Sequence, residues 1–510
     1  LDRVTEVTDE LKRLMKEFER ELAILKGRVD GLEARVGELE ATQFSTTTKL
    51  KGQTTFVMGA TVAGGDNGSR YISDKGGVKT QRANRNTAFS SNGTKGGAEA
   101  YNANYGAFTF NYDQRLAFNT SFTGKDKLYA RLRAGNFTKG KNAFGGAGVN
   151  LTALDIATDS GAGGTINNAV QLDRLYYKFP VGKEFTVIAG AIARNTESLA
   201  MWPSVYNKGG AKILDWTALA GTSGVYNKET GQLIGAYWKQ KTKKGANAFS
   251  VSVNYVADDS NGNISNSEDG GFMTSNSEAS LLAQIGYGGP EWGLAFAYRY
   301  GQCDSGNGYR RGTEFAKAGK WNNDCFYQRY DKDGNKLNDG VAQRSGSSSN
   351  SYALNAYWQP KNSGFIPSVS LGWGINDTTT DYKAGGSATV SQSWMVGLKW
   401  DDVFLKGNDL GFAFGQPTFA TSEKGCNNNG VNNVNNAGGK GYCSSTPFDG
   451  NYAFELYYNF QVTDNIAITP AVFYLSRPMG QYTSNLAENG AGYDGQFNVF
   501  GGLIQTTFKF

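Results

Sequence analysis

Residues 108–133 read FTFNYDQRLAFNTSFTGKDKLYARLR, two runs of alternating apolar and polar residues joined by a short polar turn. In the first run Phe110 and Phe118 fall on one face of an extended chain, and Asp113 and Arg115 fall on the other. Alternation with a period of two predicts β-strands that have one apolar and one polar face. This stretch therefore predicts a hairpin whose two faces meet different surroundings.

The same alternation recurs from about Leu50 to the last residue and predicts sixteen strands. Their predicted spans are 49–60, 105–122, 126–137, 171–180, 183–194, 231–240, 247–257, 278–288, 291–300, 350–359, 364–376, 388–400, 407–415, 449–462, 465–475 and 495–510. The connections alternate strictly between short and long, as they do in an outer-membrane barrel with tight turns at one rim and long loops at the other. The predicted fold class is an all-β transmembrane barrel of sixteen antiparallel up-and-down strands. A large soluble barrel is the alternative, and rows of outward aromatic residues argue against it.

The end of the chain fits an outer-membrane barrel as well. Phe500, Ile504, Phe508 and Phe510 share one face of the last predicted strand. A terminal phenylalanine on such a strand is the usual mark of a barrel that the outer-membrane assembly machinery recognises.

The composition excludes several other classes of protein. The 510 residues include 68 glycines, 27 tyrosines and 30 phenylalanines, and only 19% are charged. No apolar run approaches the roughly 20 residues that a spanning helix needs. The chain has no histidine, which removes histidine-based catalytic and zinc sites, so neither an enzyme nor a cofactor is expected. A net charge of +5 is too small to indicate binding to nucleic acid.

Residues 1–40 differ from the rest, because charged residues dominate and the apolar residues follow a heptad. The a and d positions, eleven of the twelve apolar, are Leu1, Val4, Thr8, Leu11, Met15, Phe18, Leu22, Leu25, Val29, Leu32, Val36 and Leu39. Such a repeat predicts a left-handed coiled coil with partner helices. The g residues Glu21, Arg28 and Arg35 face oppositely charged e residues, Lys26, Glu33 and Glu40, of a parallel neighbour. Apolar residues at the early g positions favour a trimer; the alternative is an amphipathic helix packed on its own domain.

The predicted organisation is a periplasmic coiled coil over 1–40, a linker over 41–48 and an outer-membrane barrel over 49–510. Residues opposite in parity to the apolar rows face the lumen, and most of the charged ones are basic. The predicted lumen residues are Lys51, Arg115, Tyr129, Arg131, Arg133, Arg174, Lys178, Lys239, Arg299, Lys399 and Lys509, against the acids Asp113 and Glu455. A basic lumen raises the local concentration of anions and predicts anion preference. The alternative is that Glu197, Asp258 and Asp259 on infolded loops neutralise the basic row.

The third long connection, 195–230, is the candidate to fold into the barrel and narrow it. It combines bulky and charged residues: Glu197, Met201, Trp202, Tyr206, Lys208 and Asp215. The alternative is an ordinary surface loop packed against a neighbouring subunit.

Two local cysteine pairs predict loop disulfides, Cys303 with Cys325 and Cys426 with Cys443. Disulfides indicate an oxidising compartment outside the cytoplasm. Asp331, Asp333 and Asn335 approach the spacing of a calcium loop, but the bidentate Glu that such a loop requires is missing. A solvated turn is the stronger interpretation of that segment, and no other metal site is predicted.

A heptad coil that leads directly into a sixteen-stranded barrel resembles the cyanobacterial outer-membrane porins, which are related to the carbohydrate-selective porin family. The residues that carry the resemblance are Leu22 to Leu39, the following 40–50 segment EATQFSTTTKL, the run LDRLYYKFP at 172–180 and Phe510. The resemblance implies a homotrimer in outer-membrane lipid and an upstream surface-layer-homology domain, absent from these residues, that binds peptidoglycan-linked polysaccharide. It also implies passage of small solutes, inorganic ions or iron; a basic lumen suits iron as an anionic complex.

The function expected on these grounds is passive diffusion of small solutes and inorganic ions through a basic lumen narrowed by 195–230. A protein that mainly tethers the outer membrane to peptidoglycan, with a nearly closed barrel, is one alternative. A carbohydrate-selective porin is the other.

Overall fold

Sixteen antiparallel strands form a closed barrel in the computed structural model of the chain, and β1 pairs with β18 to close it. The structure describes residues 2–42, 47–65, 98–138, 140–158, 168–208, 211–267, 270–303, 310–318, 326–327, 343–344, 348–361, 364–379, 387–424, 447–481, 483 and 496–510. The strands of the barrel are β1 (Thr48–Gly65), β2 (Thr109–Thr120), β3 (Lys127–Gly135), β4 (Gln171–Val181), β5 (Phe185–Arg194), β6 (Thr230–Lys239), β7 (Ala248–Asp258), β8 (Ser280–Gly288), β9 (Trp292–Gln302), β12 (Ser348–Trp358), β13 (Ser368–Thr379), β14 (Ser387–Asp401), β15 (Asp409–Lys424), β16 (Tyr452–Thr463), β17 (Ile466–Ser476) and β18 (Phe497–Lys509). Two short strands, β10 (Phe326–Tyr327) and β11 (Gln343–Arg344), pair with each other inside a long connection. The described helices are α1 (Asp2–Thr42), α2 (Ala98–Tyr105) and α3 (Glu314–Ala318), with short 3-10 turns between strands.

The predicted number of strands and their up-and-down order are confirmed, and the boundaries that differ most from the prediction are the end of β1, the start of β2, the start of β13 and the end of β15. The strand predicted from residue 105 begins at Thr109, because the preceding residues form α2. The strand predicted over 407–415 continues to Lys424, since Thr418 and its neighbours still pair with β14 or bind loops inside the barrel. Long and short connections alternate as predicted except between β13 and β14, where the connection 380–386 is no longer than the short connections 359–367 and 402–408 on either side.

The strands of the barrel have an exposed, apolar face and a buried face. On β9, Trp292, Leu294 and Phe296 are exposed, while Ala295 and Ala297, which have the opposite parity, are buried. The buried parity faces the interior, where loops pack against it, and the exposed parity faces outward. An outward apolar surface that is rich in aromatic residues matches the lipid-facing band of an outer-membrane barrel.

The barrel closes around the last residue. Gly52 N donates to the Phe510 carbonyl at 2.7 Å, and Phe510 N donates to the Gly52 carbonyl at 3.1 Å. The phenyl ring of Phe510 lies over Gly52, so that a Cβ at this glycine would come within 2.1 Å of Phe510 Cε2. The missing side chain at position 52 therefore makes room for the terminal ring.

The Gly52→Val variant is expected to impair closure of the barrel, because the added side chain displaces the Phe510 ring at a cost of about 1–3 kcal/mol. Folding yield, measured as the fraction with the mobility of folded barrel in unheated gel electrophoresis, is expected to fall. Gly502→Val is the matched control, since a Cβ at Gly502 meets nothing within 4 Å. Equal yields for the two variants would contradict the role given to the terminal ring.

The N-terminal helix α1 carries an uncovered apolar stripe. The exposed residues of the stripe occupy predicted a and d positions: Leu11, Met15, Phe18, Leu22, Leu25, Val29 and Leu32. Their exposed fractions run from 47% to 65%, so nothing in one copy of the described chain covers them. Neither α1 nor any other described helix has the length and apolar content needed to span a membrane.

Candidate functional site

Between β5 and β6, the described residues 195–208 and 211–229 lie inside the barrel; we call this connection the infolded loop. It begins with a 3-10 turn at Asn195–Ser198 and contains a second one at Asp215–Gly221. The strand residues that hydrogen-bond it are Ser252 on β7, Gln284 on β8, Asn355 on β12, Ser370 on β13, Thr418 on β15 and Glu455 on β16. The loop therefore follows the inner wall through about half of the circumference.

Small residues on the inner wall allow this close approach. A Cβ at Gly372 on β13 would lie 2.0 Å from the carbonyl oxygen of Ala220 in the infolded loop. A Cβ at Gly397 on β14 would lie 2.8 Å from the Tyr206 ring. At these two glycines the loop packs directly on the strand backbone, between the positions where strand side chains hydrogen-bond it.

Glu455 fastens the infolded loop to the far wall. Its carboxylate is buried and accepts hydrogen bonds from the Tyr206 hydroxyl at 2.9 Å and from Leu214 N at 2.6 Å. The sequence predicts Glu455 to face inward, and the structure adds that the carboxylate binds a loop instead of facing open lumen.

The Glu455→Ala variant is expected to loosen the infolded loop, because two buried donors lose their acceptor at about 1–3 kcal/mol each. Hydrogen–deuterium exchange at the Leu214 amide is expected to accelerate about tenfold or more, which corresponds to about 1.4 kcal/mol. Tyr206→Phe removes one of the two bonds and is expected to accelerate exchange less. Unchanged protection at Leu214 in Glu455→Ala would contradict this anchoring.

A buried ionic cluster around Asp215 joins three loops. The carboxylate contacts Arg310 and Arg311 at 2.6 Å each and Lys228 at 2.7 Å, and Lys228 also pairs with Asp155. Burial alone would raise the pKa of Asp215, yet the three cations hold that pKa well below its usual range. The cluster links the connection that follows β3, the infolded loop and the connection that follows β9.

In the connection between β3 and β4, the described residues 140–158 pack against the inner wall on the side where the barrel closes. Phe144, Leu151 and Leu154 from this connection are buried in one cluster with Val57 on β1 and Val499 on β18. Backbone bonds tie it to the infolded loop, from Asp155 N to the Ile213 carbonyl and from Asp215 N to the Ala153 carbonyl. Together the two connections cover the inner wall from β7 round to β1.

Arginines gather on the part of the wall that these connections leave least covered, β2 to β4. Asp113 is fully buried, forms an ion pair with Arg115 at 2.5 Å and accepts a hydrogen bond from Arg133 at 2.6 Å. Arg133 also donates to the Ile156 carbonyl at 2.8 Å. Arg115 keeps 19% of its side chain exposed, so it presents charge to the lumen.

A register shift between β3 and β4 brings a second carboxylate into this cluster. By parity Asp173 belongs to the outward face, but the irregularity next to Arg131 turns it inward. There Asp173 pairs with Arg131, and with Arg174 at 3.1 Å. Arg174 also donates to Glu197 of the infolded loop at 2.8 Å. The four arginines outnumber Asp113, Asp173 and Glu197, which leaves the wall positive.

The other predicted lumen residues are placed differently from one another. Lys51, Lys239 and Lys509 face inward by register and are exposed near the rim that carries the short turns. Lys399 is paired with Asp401 at 2.6 Å and with Asp409 at 3.5 Å.

Arg299 is a correction to the prediction of a lumen-lining residue. It points inward but is fully buried behind the infolded loop, where its Nε donates to the Gly224 carbonyl at 2.6 Å. Its Nη2 donates to Ser349 and Ser351 at 3.3 Å. Parity gives the direction of a side chain, but it does not show what lies in front of it.

Within the infolded loop, Tyr206 and Asp215 are buried, Trp202 is half-buried and Lys208 is exposed. Among the acidic residues that were predicted as alternatives to neutralise the basic lumen, Glu197 does pair with one of its arginines, Arg174. Asp258 lies beside Glu229 instead: burial, and next the charge of Asp258, raise the pKa of Glu229 to about 8.

Cys303 is disulfide-bonded. Its predicted partner Cys325 lies outside the described residues, as do Cys426, Cys443 and the calcium candidates Asp331, Asp333 and Asn335. Both pairings therefore stay predictions.

Several lumen residues were missed by sequence reasoning. They are Lys127, Asp155, Asp173, Lys228, Arg310 and Arg311. Lys127 shares the parity of Arg131 and could have been found from the sequence. The loop residues carry no periodic signal, so only the folded chain shows that they meet.

This chain is similar to other proteins along nearly its whole length. Residues 6–510 match the family model described as carbohydrate-selective porin, OprB family. An uncharacterized protein of Nostoc sp. is 30% identical over 98% of this chain and 72% of its own length, and one of Synechocystis sp. is 26% identical over 98% and 76%. The solved high-pH structure of Pseudomonas putida OprB has a TM-score of 0.51 and 13% identity, and the match covers 93% of this chain and 96% of that one. At that identity the last likeness shows the fold alone.

Proposed function

We propose, because the chain belongs to the OprB family of carbohydrate-selective porins, that this outer-membrane porin lets small solutes diffuse passively through a lumen that prefers anions. The observation that carries the proposal is the incompletely covered arginine wall of β2 to β4. Fixed positive charge in a confined aqueous passage raises the local concentration of anions. Family and fold are those of a channel rather than an enzyme.

The infolded loop supports a narrow passage. It is fastened to the β7–β16 side of the barrel, and residues 140–158 of the connection between β3 and β4 fill the side of closure. The remaining space is bordered by Arg115, Arg131 and Asp173, whose side chains are 14–19% exposed. Solutes on this route pass between the arginine wall and the infolded loop.

Planar bilayer recording of the purified protein tests the proposal. Stepwise insertion currents and a reversal potential that shows chloride to be more permeant than potassium are expected under a salt gradient. A preference for potassium would overturn the basic-lumen proposal. Absence of conductance would favour the structural alternative, in which loops close the barrel and the protein mainly tethers membrane to cell wall.

Sugars are a second class of solute, favoured by the family description and by tyrosine rings on the lumen face. Tyr129 and Tyr176 lie side by side there, with ring centroids 5.1 Å apart. Iron fits the same lumen as an anionic complex, because free metal cations would be repelled by the arginine wall.

We also propose that α1 forms a periplasmic, three-stranded coiled coil that makes the porin a homotrimer and points toward a peptidoglycan-binding partner region. The uncovered a/d stripe and the complementary g and e charges support it. Leu22→Glu/Leu25→Glu is expected to shift the mass by light scattering from trimer toward monomer, whereas the control Arg20→Gln, at an exposed f position outside the core and the g–e pairs, is expected to leave it trimeric. A monomeric wild type would overturn this proposal.

A further inference from the structure

A patch of lysines and tyrosines lies on the lumen face of β3, β4 and β6. It consists of Lys127 and Tyr129 on β3, Lys178 on β4 and Tyr237 on β6, and we call it the lysine–tyrosine patch. All four side chains are half-buried. The patch lies between the arginine wall and the rim that carries the short turns, so a solute that passes the arginines meets it next.

Two like charges face each other in this patch. Lys127 on β3 is directly paired with Lys178 on β4, so the two side chains are neighbours on the same face of the sheet. Like charges directly opposite in a sheet are destabilising. Among the described residues, neither lysine has a carboxylate within salt-bridge distance. Lys178 Nζ donates a hydrogen bond to the Glu197 carbonyl at 3.4 Å. A bound anion would remove this repulsion.

Aromatic rings flank both ammonium groups. Lys127 Nζ lies 4.4 Å from the centroid of the Tyr129 ring, and Lys178 Nζ lies 4.7 Å from that of Tyr237. Cation–π contacts hold the ammonium groups in place without neutralising them. Tyrosine also offers an apolar ring face and a polar hydroxyl in one side chain, which suits a sugar ring that has C–H groups on its faces and hydroxyls at its edges.

We infer that the lysine–tyrosine patch binds anionic monosaccharides, that is, sugars that carry a phosphate or carboxylate group. The two lysines take the anionic group and the tyrosines take the sugar ring. An uncharged sugar would not neutralise the two lysines, and an inorganic anion would not contact the tyrosine rings. The lysines and the tyrosines together therefore favour a ligand that has both an anionic group and a sugar ring. This inference rests on the proposed function, since the ligand reaches the patch only through a conducting lumen.

Block of ion current in planar bilayers tests the inference, with glucose 6-phosphate as the probe and glucose and inorganic phosphate as comparators. The half-blocking concentration of glucose 6-phosphate is expected to be about tenfold lower than that of either comparator. Lys127→Gln/Lys178→Gln is expected to raise it about tenfold, while Lys125→Gln/Lys241→Gln, with exposed turn lysines replaced, is expected to leave it unchanged.

The tyrosines are tested separately. Tyr129→Leu/Tyr237→Leu is expected to weaken block by glucose 6-phosphate several-fold more than block by inorganic phosphate, because only the sugar also loses its contacts with the rings. A channel that conducts but is blocked equally by glucose 6-phosphate and phosphate, or whose block ignores the lysine replacements, overturns this inference alone. A protein that does not conduct overturns the proposed function and this inference with it.

Discussion

The Asp215→Asn variant is expected to lose the attachment between the infolded loop and the connection that follows β9. Asp215 and its partner Lys228 are buried, and its other two partners, Arg310 and Arg311, keep 23% and 16% of their side chains exposed. Asparagine retains the shape but not the charge, which leaves these cations repelling one another. Breaking a buried pair by removing one partner costs about 3–5 kcal/mol.

The barrel itself is expected to survive this change, because the strand ladders do not depend on Asp215. The readout is therefore local: faster hydrogen–deuterium exchange over 211–229 and 310–318, and larger, noisier single-channel currents. Asp464→Asn, at an exposed short turn, is the control and is expected to behave as wild type. Wild-type exchange in Asp215→Asn would show that the cluster does not hold the loops.

The pH dependence of this attachment follows from the depressed pKa of Asp215. Its contribution to stability is fully present above the unfolded value of about 3.9 and is lost as pH falls through the lower folded value. The wild-type loops are therefore expected to stay attached at neutral and mildly acidic pH.

The Arg115→Gln/Arg131→Gln variant is expected to lose most of its preference for anions. These two arginines are the more exposed ones, at 19% and 14%, so their charge reaches the passage. Each carboxylate keeps another partner, since Asp113 retains Arg133 and Asp173 retains Arg174. The change therefore removes lumen charge without leaving a buried carboxylate unpaired.

The measurement is the reversal potential under a gradient of potassium chloride. The chloride-to-potassium permeability ratio is expected to fall about tenfold, which corresponds to about 1.4 kcal/mol. Lys183→Gln, at an exposed short turn, removes a positive charge away from the arginine wall and is expected to leave the ratio nearly unchanged. If the double variant had the wild-type permeability ratio, Arg115 and Arg131 would not be the residues that determine ion selectivity.

The barrel was predictable from sequence because its signal is local and repeated. Each strand carries its own two-residue period, and the alternation of loop lengths sets the topology. The resemblance to outer-membrane porins related to the carbohydrate-selective family is confirmed by the family match. Errors arose where a local rule was interrupted, as at Tyr105, which ends a helix, and at Asp173, which a register shift turns inward.

The interior was less predictable, because it depends on contacts between distant segments. Parity correctly turned Arg299 inward but could not show that Gly224 covers it. The partners of Asp215 lie 13 to 96 residues away in sequence, and no periodic pattern connects them. Fold follows from repetition along the chain, whereas the chemistry of the lumen follows from loops that meet only after folding.

The infolded loop is held by strands that come much later in the chain, and this affects when it can fold. The Tyr206 hydroxyl binds Glu455, 249 residues later in the chain, and Thr55 pairs with Thr507, 452 residues later. Contacts between such distant residues form late, because the intervening chain must be ordered before they can form. The loop thus reaches its final position only after β16 has been added, when the barrel is nearly complete. The infolded loop therefore narrows the lumen late in folding, whereas the arginine wall lies on the neighbouring strands β2 to β4 and does not depend on the last strands.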